Sequence, residues 1–368
     1  MVNATGLLGV LFLVRHGDRL EFFQDPLTYN PSATFLTALG TVEEAALGNL
    51  LQEIYLLPSS PSAITGISFP VADVTQLLIR ADAAGEGETI LSSVGALIQG
   101  LYPPTTDFNS TLANGTTVIG ADGGEQFLPV ESVEQYEDIS LNSFTSCPNF
   151  DAHTSAFYNS SQFSQEAQTA APFLAALTPF LDGKSTDFIN MFNIFDYVNV
   201  QNIHNASFHS ALPSTFVEQA YGFANFHEGG VFSDASPDGI GNVAIRTMLP
   251  SLFTSLQRIA NTSDPLKLAL NGISYKPFIS FFNLTAATAD VSGDVDYASA
   301  LAIEVNPPSA SDSEAFVTIK FKNGTSDAAF HPVNLGRFGE NATSIPLSTF
   351  VSELQVRVLF DSLMPVNG

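Results

Sequence analysis

Leu7-Leu8-Gly9-Val10-Leu11-Phe12-Leu13-Val14 runs without a polar side chain into Arg15-His16-Gly17-Asp18-Arg19. An apolar run of this length that stops at a charged cluster reads as a strand buried on both faces, its C-terminal end delivering the charges. The 368-residue chain holds only twelve Lys and Arg, and two of its seven arginines flank this one histidine. Two guanidinium groups beside an imidazole serve no packing purpose. They suit a cradle for a doubly charged phosphate, because the planar arginine fork binds phosphate oxygens bidentately. His16 is then placed to attack phosphorus as a nucleophile.

Working outward, Thr41-Val42-Glu43-Glu44 fits a capping box with Thr41 as N-cap. Val42, Ala45, Ala46, Leu50 and Ile54 would then mark one helix face. Residues 76–80 read as a second strand, and residues 89–99 as a helix stopped by Gly100 and Pro103. This alternation predicts an α/β fold, a mainly parallel sheet flanked by helices. Ligands of such sheets sit beyond the C-terminal strand ends, where both His16 and Arg80 fall. From 105 to 241 the pattern breaks into Gly-, Ser-, Asn- and Phe-rich sequence with short helical fragments such as 167–181. Regular elements resume with a helix over 242–259 and strands at 266–270, 297–305 and 315–321. The expected organisation is a discontinuous core, 1–104 and 242–368, around an inserted, mostly helical cap at 105–241.

Composition narrows the function. Hydrophobic residues make up 45% of the chain and the net charge is −25. That charge excludes nucleic acid as a partner, since phosphate backbones demand basic surfaces. No run approaches the roughly 18 apolar residues of a membrane span. Cys147 is the single cysteine, so no intramolecular disulfide can form, which alone would suggest a reducing compartment. Against it stand nine N-x-S/T sequons, at Asn3, Asn109, Asn114, Asn159, Asn205, Asn261, Asn283, Asn323 and Asn341, more than chance supplies. The expectation is a secreted glycoprotein read in its mature form, with an oligomeric state the sequence leaves open.

Strand–RHGxR resembles the histidine phosphatase superfamily, in particular its acid phosphatase and phytase branch and, within it, fungal, mushroom-type secreted acid phosphatases. Further landmarks occur in family order. They are Leu36-Thr37-Ala38-Leu39-Gly40, Ile79-Arg80, Gln99-Gly100-Leu101-Tyr102-Pro103-Pro104, Cys147-Pro148, Tyr297-Ala298-Ser299 leading to Glu304, and Pro346-Leu347-Ser348. The resemblance implies a phosphoglycerate mutase-like core and a phosphohistidine on His16. It implies phosphate binding by Arg15, Arg19 and Arg80, with Asp18 available to orient a neighbour, and no cofactor or metal.

Two departures stand out. Relatives carry a further arginine about six residues beyond the one matching Arg80, and the stretch Asp82–Glu88 here has no base. Relatives also carry a His-Asp pair after a late strand, the aspartate protonating the leaving oxygen; Ile273 and Ser274 occupy that place. Glu86 and Glu88, in a glycine-flanked loop after Arg80, are the replacement donors the sequence offers. A partly buried carboxyl there would hold a proton near pH 5. His227-Glu228 and Ser274 are further candidates. The expected activity is hydrolysis of small phosphomonoesters, aryl or indolyl phosphates such as psilocybin included. Phytate is disfavoured because so acidic a chain repels polyanions. The alternative is a catalytically impaired relative that binds phosphate esters.

Overall fold

The structure, a computed structural model, describes residues 6–355 except 24–28, 32, 85, 288–292, 309–312 and 341. The opening apolar run becomes β1 (Gly9–Arg15), buried along its whole length. Burying Leu11, Phe12, Leu13 and Val14 contributes roughly 1.5–3 kcal/mol per side chain. β1 pairs in parallel with β6 (Leu268–Ile273), β6 with β2 (Leu77–Asp82), and β2 with β5 (Glu131–Val133). On its other side β1 runs antiparallel to β7 (Ala300–Asn306), followed by β8 (Phe316–Lys322) with the short β9 (His331–Pro332) and β10 (Ile345–Pro346). β3 (Asn109–Thr111) and β4 (Thr117–Ile119) form a separate exposed hairpin. The expected α/β sheet is present. Its antiparallel wing is joined by a short β7–β8 connection, which leaves no room for a crossover helix.

Alternation along β1 divides the core in two. Val10, Phe12 and Val14 pack towards α1 (Ala38–Leu51) and α2 (Gly87–Leu101). Leu11 and Leu13 pack towards α10 (Leu249–Ala260), α11 (Lys276–Leu284) and α12 (Leu347–Gln355). The short turns α3 (Ala121–Gly124) and α9 (Val243–Arg246) connect elements. The single helix expected over 242–259 is broken because Pro250, lacking an N–H, fits only the first turn of a new helix. α4 (Pro148–Tyr158), α5 (Ser161–Leu177), α6 (Met191–His204), α7 (Ala206–Ala211) and α8 (Phe216–Val231) follow β5. α5, α6 and α8 enclose their own apolar cluster around Phe163, Phe173 and Ile194. β5 lies within 105–241 yet pairs with β2, so the core sheet extends into that segment.

Two boundaries differ from expectation. Thr37, not Thr41, caps α1, accepting from the Gly40 N–H at 3.1 Å. The buried face is accordingly Glu44, Leu47, Gly48 and Leu51, while Val42 stays 65% exposed. β6 runs three residues beyond the predicted strand end, through Asn271-Gly272-Ile273. Asn271-Gly272 resembles a turn signal, but a Cβ at Gly272 would lie 2.3 Å from Val94 Cγ2 of α2. The glycine serves helix-on-sheet packing and not a turn.

Among the described residues no helix is long and apolar enough to cross a membrane. Asn109, Asn114, Asn159, Asn205, Asn261 and Asn323 are exposed. Asn283 departs from expectation: it is half-buried in α11, and Thr285, whose hydroxyl the sequon requires, is fully buried and donates to the Phe281 carbonyl at 2.7 Å. Asn3 and Asn341 lie outside the described residues.

Candidate active site

The cradle forms where β1 ends. Arg15 N–H donates to the Ser299 carbonyl and Ala298 N–H to the His16 carbonyl, fixing one side of the loop. On the other side Gly17 N–H donates to Ser93 Oγ at 3.1 Å and Asp18 N–H to Glu43 Oε2 at 2.7 Å. The loop lies directly on the start of α1. A Cβ added to Gly17 would come 2.6 Å from the Gly40 carbonyl, and one added to Gly40 would come 2.2 Å from the Asp18 carbonyl. Only glycine permits two backbones to meet so closely.

His16 is 1% exposed. Its Nδ1 lies 2.8 Å from the Gly17 carbonyl, which can only accept, so Nδ1 carries the proton. Burial lowers the imidazole pKa, with Glu86 opposing. The neutral ring then presents a lone pair on Nε2, the tautomer a phosphorus nucleophile needs.

Each flanking arginine has its own acid. Arg15 donates to Asp294 Oδ1 at 3.0 Å and to the Val295 carbonyl, and its guanidinium lies over the rings of Tyr297 and Tyr275. Arg19 donates to Asp196 Oδ1 of α6 at 2.8 Å and to Glu86 Oε1 at 3.1 Å. Nε of both arginines and Nε2 of His16 are buried without a hydrogen-bond partner among the described residues. Asp18 turns away from the cradle, receiving Thr37 Oγ1 and lying 2.7 Å from His204 Nε2. It fastens the loop to α1 and α6.

Glu86 is the residue whose place decides the chemistry. It precedes α2, six residues beyond Arg80, at the position expected to hold an arginine. Its Oε2 lies 2.7 Å from His16 Nε2 without an aligned hydrogen bond. Burial would raise this carboxyl, but the Arg19 guanidinium, aided by Lys276, outweighs burial and holds it well below the usual range. The expectation of a Glu86 that keeps its proton near pH 5 is therefore not met in this arrangement. Glu88 is exposed in the first turn of α2, whereas Arg15, His16 and Arg19 are buried.

Arg80 does not join the cradle either. It stands level with Asn271 and Leu13, two residues short of Arg15, and donates to Glu131 Oε2 at 3.2 Å and Asp138 Oδ2 at 2.5 Å. β2 continues to Asp82, which comes level with Arg15 because Ala81, Gly272 and Val14 share the preceding row. Asp82 accepts from Ala84 N–H at 2.9 Å and Asn142 Nδ2 at 3.0 Å. Burial pushes its carboxyl up to about 6 despite those bonds.

Asp82 and Glu86 line a cavity of about 330 Å³ shared with Phe22, Phe144, Phe192, Phe232, Tyr158 and Lys276. Ser274, His227 and Glu228 line it too. His227 Nδ1 lies 2.7 Å from Glu228 Oε1, and Tyr275 donates to Glu228 Oε2 at 2.5 Å. Tyr275 thereby links this pair to Arg15. Ile273, one of the two residues expected at the missing pair, is wholly buried in the core. Among the described residues no group of three or more His, Cys, Asp or Glu could hold a metal ion.

Asp82, Asp196, Asp294, Tyr275 and Lys276 were not singled out by the sequence. Only Asp82 left a usable signal there, as an acid ending a strand parallel to β1.

No family model matches the sequence, and no curated protein does. Solved structures do. The phytase from Citrobacter braakii shares 11% identity at a TM-score of 0.66, over 96% of this chain and 98% of that one. The phytase from Klebsiella sp ASR1 shares 14% at 0.64, covering 96% of each chain. The multiple inositol polyphosphate phosphatase from Bifidobacterium longum, in complex with inositol hexasulfate, shares 11% at 0.53, over 95% and 92%. At such identities the likeness is one of fold, and it spans nearly the whole of each chain. The chain thus has the fold of the phytase-type histidine acid phosphatases, as its RHGxR strand end implied.

Proposed function

We propose that the protein hydrolyses small phosphate monoesters through a phosphohistidine on His16. The reading is carried by one five-residue loop that gathers the buried Arg15, His16 and Arg19, with Nε of both arginines without a hydrogen-bond partner among the described residues. Phosphoryl transfer needs positioning and neutralisation of the equatorial oxygens, and paired arginines supply both without a cofactor. Nε2 attacks phosphorus while the bond to the leaving oxygen breaks on the far side, in line. The proton for that oxygen has to come from the cavity beyond the cradle. Asp82 lines that cavity and keeps its proton at pH 5. It donates the proton, then accepts one from the water that splits the phosphohistidine, which releases phosphate and restores both groups.

The cavity supports a monophosphate on an aromatic body. Seven of its nineteen lining residues are Phe or Tyr, and among the described residues Lys276 is its one lysine, close to Asp82 and Glu86. The phytase neighbours bring inositol polyphosphates as the competing class. A comparison of kcat/KM at pH 5 should rank an aryl monophosphate well above phytate; release of several phosphates from phytate would reverse the assignment. The helices of 148–231 act as the cap over this cavity, and the six exposed sequons support a secreted protein.

Glu86 favours a second reading, a phosphate-ester binder without turnover. Incubation with p-nitrophenyl phosphate at pH 5, with and without chelator, separates the two. Rapid quench into alkaline denaturant should trap an acid-labile, base-stable phosphoprotein in the first case and none in the second.

A further inference from the structure

We propose that Glu86 is a built-in occupant of the phosphate seat, an anion that an ester must displace before His16 can react. The inference rests on the phosphatase reading of the cradle. Glu86 is 6% exposed and places one oxygen on Arg19 and the other on His16 Nε2, at 3.1 and 2.7 Å. Those are the two groups a bound phosphoryl group has to touch. A carboxylate and a phosphate cannot share so small a cationic site, since like charges at contact in a buried environment repel strongly.

Arg19 holds Glu86 by an aligned hydrogen bond, and the second carboxylate oxygen lies against His16 Nε2. Displacement therefore gives up both contacts. A ligand must bring enough negative charge to outcompete a carboxylate already in place. This makes Glu86 a specificity-determining residue: it admits phosphate dianions and monoanions and keeps weaker acceptors off the nucleophile.

The test reads binding, not turnover. Glu86→Gln and Glu86→Ala should each bind inorganic phosphate at least about ten-fold more tightly than the unaltered chain by calorimetry at pH 5. Equal or weaker binding in both, with cooperative melting retained, overturns the proposal. The unaltered protein gives an independent reading if a variant misfolds. With ¹⁵N-labelled histidine, saturating phosphate should move the His16 ring signals, identified by their loss in His16→Ala, as Nε2 exchanges a carboxylate for phosphate. Unmoved signals would place the phosphate elsewhere and overturn it. Tighter binding in the variants of a protein that never turns over p-nitrophenyl phosphate would keep this role for Glu86 and remove the phosphatase reading alone.

Discussion

β1 and β6 are adjacent parallel strands that stop at the same level, yet they end in opposite chemistry. β1 ends in Arg15-His16-Gly17-Asp18-Arg19, a polar loop held from both sides by backbone and side-chain hydrogen bonds. β6 ends in Ile273-Ser274-Tyr275-Lys276, where the first residue is core and the next three line the cavity. The fold guarantees that both strand ends face one site, and it does not say what either brings. β1 brings the proposed nucleophile. The His-Asp pair expected at β6 is absent, and β2 places Asp82 in the same row.

The comparison breaks most sharply at His16. His16→Ala should lower turnover of p-nitrophenyl phosphate by about 10⁴-fold or more while leaving the thermal transition within a few degrees. Turnover that survives in this variant would move the chemistry away from β1 altogether.

Asp82→Asn tests whether β2 has taken over the task expected at β6. Turnover of an alkyl phosphate should fall by about 10²–10³-fold, and that of p-nitrophenyl phosphate by less than about ten-fold, because its leaving group hardly needs a proton. With the Asp82 carboxyl near 6, activity on the alkyl ester should decline as pH rises through 6, and the variant should lose that limb. Equal losses on both esters would return the search to Ser274 and to the His227–Glu228 pair.

A smaller effect concerns stability. The Asp82 and Asp294 carboxyls are raised by burial to about 6 and about 7, so the folded state binds their protons more tightly than the unfolded chain does. Their contribution is present below the unfolded value near 4 and is lost as pH rises through 6 to 7. For Asp82 alone the change is roughly 3 kcal/mol. Melting followed from pH 4 to 8 should show Tm falling across that interval, and a flat profile would contradict the burial argument.

The smallest effect belongs to Arg80. Tied to Glu131 and Asp138, it should leave KM within about three-fold on replacement by Ala while lowering Tm modestly. A KM raised thirty-fold would bring Arg80 into the cradle after all.

Much of this arrangement was legible in local sequence. The unbroken run ahead of Arg15 identified β1, and two arginines beside a histidine in so acidic a chain drew attention to the loop at its end. The acids that bond them were not legible, because Asp196 and Asp294 reach Arg19 and Arg15 from 177 and 279 residues away. No spacing rule spans such distances. The strand expected at 266–270 stops short of the observed β6 end at Ile273, and Tyr275 and Lys276 just beyond it were not singled out. Glu86 was legible as an acid in the glycine-flanked loop after Arg80. Its ionised state was not legible, because Arg19 holds the carboxyl low against the effect of burial.

The backbone contact between Gly17 and Gly40 has a consequence for anyone who maps this protein by substitution. In a library that replaces each position in turn, alanine at either glycine should inactivate the protein as thoroughly as loss of His16, because the added Cβ forces the two backbones apart. Activity alone will then draw the boundary of the site too wide. Sorting the library by phosphate binding as well as by turnover separates residues that perform the reaction from residues that merely leave room for it.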